Sequence, residues 1–146
     1  MAIAERALMA ILRVFGATGM LATVAVFMPR AWMAACHAWL GLGAFPEGPI
    51  VEYLARSLSA LYAMVGGLAW LVAGDVRRYE RVVTYVAVVL VAFGAVISAV
   101  DLRLGMPLYW TLGEGPPTVL LGAVMLALQA RARAAWRQDG ADGAGR

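Results

Sequence analysis

Lysine and asparagine are absent from the 146 residues, and cysteine and histidine occur once each. The lone Cys36 excludes an internal disulfide and a cysteine-based metal cluster, and it leaves the redox compartment unreadable. The lone His37 excludes a two-histidine haem site within one chain, and no metal is expected. C-x-x-C, G-x-S-x-G and a glycine-rich phosphate loop are all missing, which removes the common signatures of redox, hydrolase and nucleotide chemistry. The deepest shortage is charge. Only 14% of residues are charged and 63% are hydrophobic, against about 25% charged in soluble domains, and the mean hydropathy is +0.78.

What charge there is has one basic form. All twelve basic residues are arginine, which with the abundance of Ala, Gly and Val points to a GC-rich bacterial genome. A net charge of +3 in a soluble protein would suggest nucleic acid. Here the arginines sit at the ends of apolar runs, where membrane topology accounts for them, and no nucleic-acid partner is expected.

Four apolar runs approach the roughly 20 residues that a helix needs to cross a bilayer core of about 30 Å. The first, about Ala7 to Met28, is stopped by Pro29 and Arg30. The second, about Ile50 to Ala73, follows a linker containing Pro46, Gly48 and Pro49. The polar stretch Asp75 to Arg81 is short enough only for a helix hairpin, and it leads into the third run, Val82 to Val100. The fourth, Leu108 to Trp136, contains Gly113, Gly115, Pro116 and Pro117. Proline at a first helical position loses no hydrogen bond, so the regular helix is expected to begin at 116 or 117 after an irregular start. These runs predict an all-α polytopic membrane domain over 1–138, an antiparallel four-helix transmembrane bundle. Residues 139–146 are expected to form a disordered cytoplasmic tail.

Counting arginines by side gives the orientation. Arg6, Arg77, Arg78, Arg81, Arg131, Arg133, Arg137 and Arg146 share one side, while Arg30, Arg103 and the more deeply placed Arg56 belong to the other. The positive-inside tendency then puts both termini in the cytoplasm. Between the first two runs, Trp32, Met33, Cys36, Trp39 and Leu40 gather on one side of a helical projection, which predicts a short helix lying in the outer interface. A lipoprotein cleavage box at Met33 to Cys36 is the weaker alternative, because Pro29 and Arg30 interrupt the apolar run just before it.

Ionisable residues within spans cost about 2.5 to 3.5 kcal/mol at mid-bilayer and need a partner or a route to water. Arg13 lies near enough to the cytoplasmic end to snorkel. Stacking the four spans brings Glu52, Arg56, Asp101, Arg103 and Glu114 to one outer level, with His37, Tyr53, Tyr109 and Trp110 at similar height. Two readings stay open. One is a salt-bridged network that ties helices together. The other is a ligand site in which Arg56 faces an anionic or carbonyl group, Asp101 or Glu114 holds it or exchanges a proton, and Tyr109 and Trp110 line the mouth.

A first helix ending at a proline, a segment closing with Leu40, Gly41, Leu42 and Gly43, a proline-containing linker, and then Arg56, Tyr62 and Gly66 in the second run resemble the DoxX-like small bacterial membrane proteins. The resemblance spans about Ala7 to Gln129. It implies a four-helix bundle in the bacterial inner membrane. Some relatives are subunits of quinone-linked oxidoreductases, but no redox ligand set is present here to carry that role over.

Three functions follow as expectations. The first is a non-enzymatic protein that binds a lipid-phase ligand, a quinone or a lipid, or that serves as accessory subunit of a membrane complex. The second is a membrane enzyme using Asp101 or Glu114 with Arg56, and the third is a dimeric transporter. The partners expected are the lipid bilayer and a homo-oligomer or larger complex. No cofactor is demanded, a quinone being the one candidate.

Overall fold

The computed structural model describes residues 3–144, with side chains up to position 138. Among the described residues there are six helices and no strand: α1 (Ile3–Leu21), α2 (Thr23–Phe27), α3 (Arg30–Trp39), α4 (Pro49–Val72), α5 (Glu80–Leu104) and α6 (Leu108–Ala144). Among the described residues four stretches are long and apolar enough to cross a membrane: Ile3–Phe27, Pro49–Val72, Glu80–Leu104 and Leu108–Gln138. The 24 residues of α4 reach about 36 Å at 1.5 Å each, enough for the hydrocarbon core. Between 11% and 22% of their most apolar windows is buried inside the protein. Phe27, Met64, Leu71 and Leu104 are each more than two-thirds exposed. Apolar surface on this scale is stable against lipid and not against water, and the chain is a multi-pass membrane protein.

The helices sort into two compact units, one of Leu12–Leu71 and one of Met1–Ile11 with Val72–Arg146. In the first, α1 and α4 run antiparallel, with Gly16 against Gly66 and Trp70, and Gly19 against Gly66 and Tyr62. These glycines let the two backbones touch. The expected segment between the first two spans is helical as α3, with Met33 buried while Trp32 and Trp39 are exposed. It ends in a Schellman turn, where Leu42 N–H donates to His37 O and Gly41 N–H to Ala38 O. Gly41 takes φ 71°, a conformation that costs glycine nothing.

In the second unit α5 and α6 form an antiparallel pair. Gly94 packs on Gly115 and Ala87 on Gly122, while Thr84 binds Gln129 and Glu80 binds Arg133. The turn between them is a second Schellman motif, Met106 N–H to Asp101 O and Gly105 N–H to Leu102 O, with Gly105 at φ 67°. On α6 the residues turned inward are Thr111, Gly115, Thr118, Gly122, Met125, Gln129, Ala132 and Trp136, all buried except the half-buried Thr118. Their spacing alternates four and three, the 3.5-residue period of a left-handed helix seam. On α5, Val83, Ala87, Gly94 and Asp101 are buried on the same period.

That seam corrects the expected irregular start of the fourth span. α6 is one helix from Leu108, with Pro116 and Pro117 inside it. Both prolines lie on its exposed side. They deprive Leu112 and Gly113 carbonyls of their helical donors. The helix continues because the seam on its other side packs without a break against α5, and membrane helices tolerate proline where packing holds the flanks. Its backbone runs on to Ala144, over positions where a disordered tail is expected, since no proline there stops the helix. The side chains of 139–144 and all of 145–146 lie outside the described residues.

Candidate functional site

The candidate polar residues fall into two groups, one in each unit. In the unit of Leu12–Leu71, Arg56 donates to the carbonyls of Val26 and of Met28, the latter at 3.0 Å. The cause is local. α2 ends at Phe27 before Pro29, so its last carbonyls have no intrahelical donor, and a planar guanidinium supplies two at once. Glu52, one turn earlier on α4, lies 3.8 Å from Arg56 and 3.4 Å from Arg30. Arg30 also donates to Pro46 O at 3.3 Å and lies over the Phe45 ring. His37 belongs to the same fastening. Its Nδ1 donates to Gly43 O at 3.1 Å and its ring meets Phe45 edge-on. These residues clamp the segment between the first two spans onto the start of α4. Arg56 is thereby engaged by partners of its own unit.

The second group lies at the α5–α6 turn. Asp101 is 6% exposed and Thr111 5%. Asp101 Oδ2 and Thr111 Oγ1 are buried without a hydrogen-bond partner among the described residues. Both sit on the inward seam, Asp101 one turn before the end of α5 and Thr111 one turn after the start of α6. Glu114 and Trp110 are half-buried nearby in sequence, whereas Arg103 and Tyr109 are exposed. The Glu114 carbonyl accepts from the Thr118 hydroxyl at 2.6 Å. Native proteins pair nearly all buried polar atoms, and an unpaired one costs about 1 to 3 kcal/mol. Two such atoms on one short stretch of seam offer an acceptor and a hydroxyl to a molecule able to meet both.

The sequence reading passed over Thr111 because its helix began at 116. A helix counted from Leu108 places Thr111, Gly115 and Thr118 on one stripe, the signal that would have found it. It also passed over the network at the far end of the pair. There Gln129, 2% exposed, donates to Glu80 O, and its Oε1 is 3.0 Å from the Thr84 hydroxyl. Arg133 donates to Thr84 Oγ1 at 2.9 Å and to Glu80 Oε2 at 3.3 Å. Every polar atom of the Gln129 amide end thus meets a partner, which is what makes a buried amide tolerable in lipid. Among the described residues no group of His, Cys, Asp and Glu is arranged to hold a metal ion. Comparison with protein-family models, with curated proteins and with solved structures returns no match.

Proposed function

We propose that this chain is a non-enzymatic protein of the bacterial inner membrane, with both termini cytoplasmic, and that the end of its α5–α6 pair holds the polar head of a lipid-phase molecule, a quinol or a lipid. The observation that carries the reading is the pair of unpartnered buried atoms, Asp101 Oδ2 and Thr111 Oγ1. A ligand hydroxyl donates to Asp101, while the Thr111 hydroxyl donates to a ligand oxygen. Each bond removes a desolvation cost that the protein alone bears. Trp110, half-buried one residue before Thr111, is the aromatic neighbour of that head group. The engaged state of Arg56 draws support away from an enzyme that needs it free as an electrophile. The DoxX-like resemblance and a role as subunit of a larger membrane complex or homo-oligomer belong to the same reading.

Titration of the detergent-solubilised protein with a short-chain quinol, followed by quenching of tryptophan fluorescence, tests it. Saturable binding is expected, weakened about tenfold by Thr111→Val through loss of one hydrogen bond of roughly 1.4 kcal/mol. Asp101→Asn is expected to weaken it as well. Thr111→Val removes a buried unpaired hydroxyl, so its thermal midpoint stays at or above that of the parent. Quenching that does not saturate, or affinities equal in all three proteins, refutes the assignment.

A further inference from the structure

The two ends of the α5–α6 pair differ. About 32 Å of helix separates Asp101 from Glu80, so the two ends sit near opposite faces of a hydrocarbon core of about 30 Å. At the Glu80 end an open cleft of about 650 Å³ is lined by Arg77, Glu80, Arg81, Arg133, Trp136 and Arg137. Four guanidinium groups and one carboxylate meet there. The carboxylate of Glu80 is already engaged by Arg133 at 3.3 Å. Arg77 lies 5.7 Å from the centre of the Trp136 ring, and Trp136 Nε1 donates to Glu5 Oε2 at 3.4 Å. Asp75, the other acid of the adjoining turn, accepts from Arg78 N–H at 2.9 Å. Arg81 and Arg137, both exposed, line the cleft without an ion pair among the described residues.

Membrane topology alone asks only that arginines lie on one side of the bilayer. It does not ask that Arg77 of the turn before α5, Arg81 of α5 and two arginines of α6 converge on one concavity with a tryptophan in its wall. We infer that this cleft binds a phosphate-bearing anionic group. Guanidinium forks match phosphate oxygens in pairs, and the volume lies in the range of small-ligand sites. The cleft's depth, at the headgroup level, makes an acidic phospholipid one source and free phosphate the other. The inference is independent of the Asp101 and Thr111 site, which lies at the other end of the helices.

The test uses the full chain in nanodiscs of phosphatidylcholine with an equal share of phosphatidylglycerol, released into native mass spectrometry with and without millimolar inorganic phosphate. Preferential retention of phosphatidylglycerol is expected. Each of Arg81→Gln and Arg137→Gln should lower it about fivefold and the double variant about 30-fold, from loss of one charge-assisted guanidinium–phosphate contact per exposed side chain. Retention that persists in phosphate assigns the site to the lipid headgroup, and displacement by phosphate assigns it to the free anion. Arg131→Gln, at the same end but outside the cleft, should leave retention unchanged. Equal retention of the two lipids, or an equal loss in Arg131→Gln, overturns the inference. The single variants keep the test decisive should the double variant fail to fold.

Discussion

Gly66 and Gly67 are neighbours on α4, and replacing each by alanine makes a paired experiment with opposite expected signs. The helix-propensity gain is the same for both, up to about 1 kcal/mol. A Cβ built on Gly67 meets nothing within 4 Å, whereas one on Gly66 meets Met20 N at 2.6 Å, Gly16 O at 2.7 Å and Gly19 C at 2.8 Å. All three are backbone atoms, so no side chain can swing aside. α1 and α4 must separate locally by about half an ångström or more, and a radial gap of that size forfeits a quarter to a half of each dispersion contact along the seam. Overpacking of this kind costs about 1 to 3 kcal/mol. Set against the propensity gain, Gly66→Ala is expected to lose up to about 2 kcal/mol and Gly67→Ala to gain up to about 1 kcal/mol, so that the two differ by the overpacking cost of about 1 to 3 kcal/mol. Reversible unfolding in mixed micelles, with the denaturing detergent fraction as the axis, reads both. Equal midpoints for the two variants would falsify the close α1–α4 approach.

Arg56→Lys exchanges a fork for a single ammonium that cannot donate in plane to both the Val26 and Met28 carbonyls. A loss of about 1 kcal/mol is expected, the third of the side chain that is exposed having discounted its charge-assisted bonds. Limited proteolysis should quicken within 41–48, and an unchanged cleavage rate would contradict the clamp. Cys36, the only thiol, is exposed on α3 and reports orientation without any substitution. With both termini cytoplasmic, a membrane-impermeant maleimide should label it in intact spheroplasts. Labelling only after lysis would reverse the topology.

The four spans were legible because each is a statement about solvent. A run long enough and apolar enough has no stable place except lipid, and that holds before any partner is known. The α3 helix was legible from its 3.6-residue apolar pattern. The seam between α5 and α6 was not. In water an inward stripe is announced by hydrophobic residues, but in lipid every face is hydrophobic, and the inward stripe is marked by small and polar residues instead. Thr111, Gly115, Gly122 and Ala132 carry that stripe without standing out by hydropathy, and Gln129, which does stand out, reads along the chain only as the end of the apolar run. The same inversion misplaced the start of the fourth span. Pro116 and Pro117 read as a helix start along the chain, yet the packing on the other side of α6 carries the helix past them.

The candidate site divides in the same way. That Glu52, Arg56 and Asp101 are ionisable positions in or beside a span, each needing an account, follows from the amino-acid order alone, because the cost of a charge in hydrocarbon does not depend on the neighbours. Which account each receives depends on them entirely. Arg56 is answered by carbonyls left without helical donors because Pro29 ends a helix some 27 residues away in sequence, and Glu52 by the guanidinium groups of Arg30 and Arg56. Asp101 and Thr111 are buried and unanswered only because the α5–α6 turn folds both onto one seam. Sequence therefore determined the solvent, the number of crossings and the list of costly residues. Tertiary structure alone decided which of those residues is satisfied, and it alone set Thr111 beside Asp101 as a second buried group left unpaired, since hydrogen bonds are set by distance and not by order along the chain.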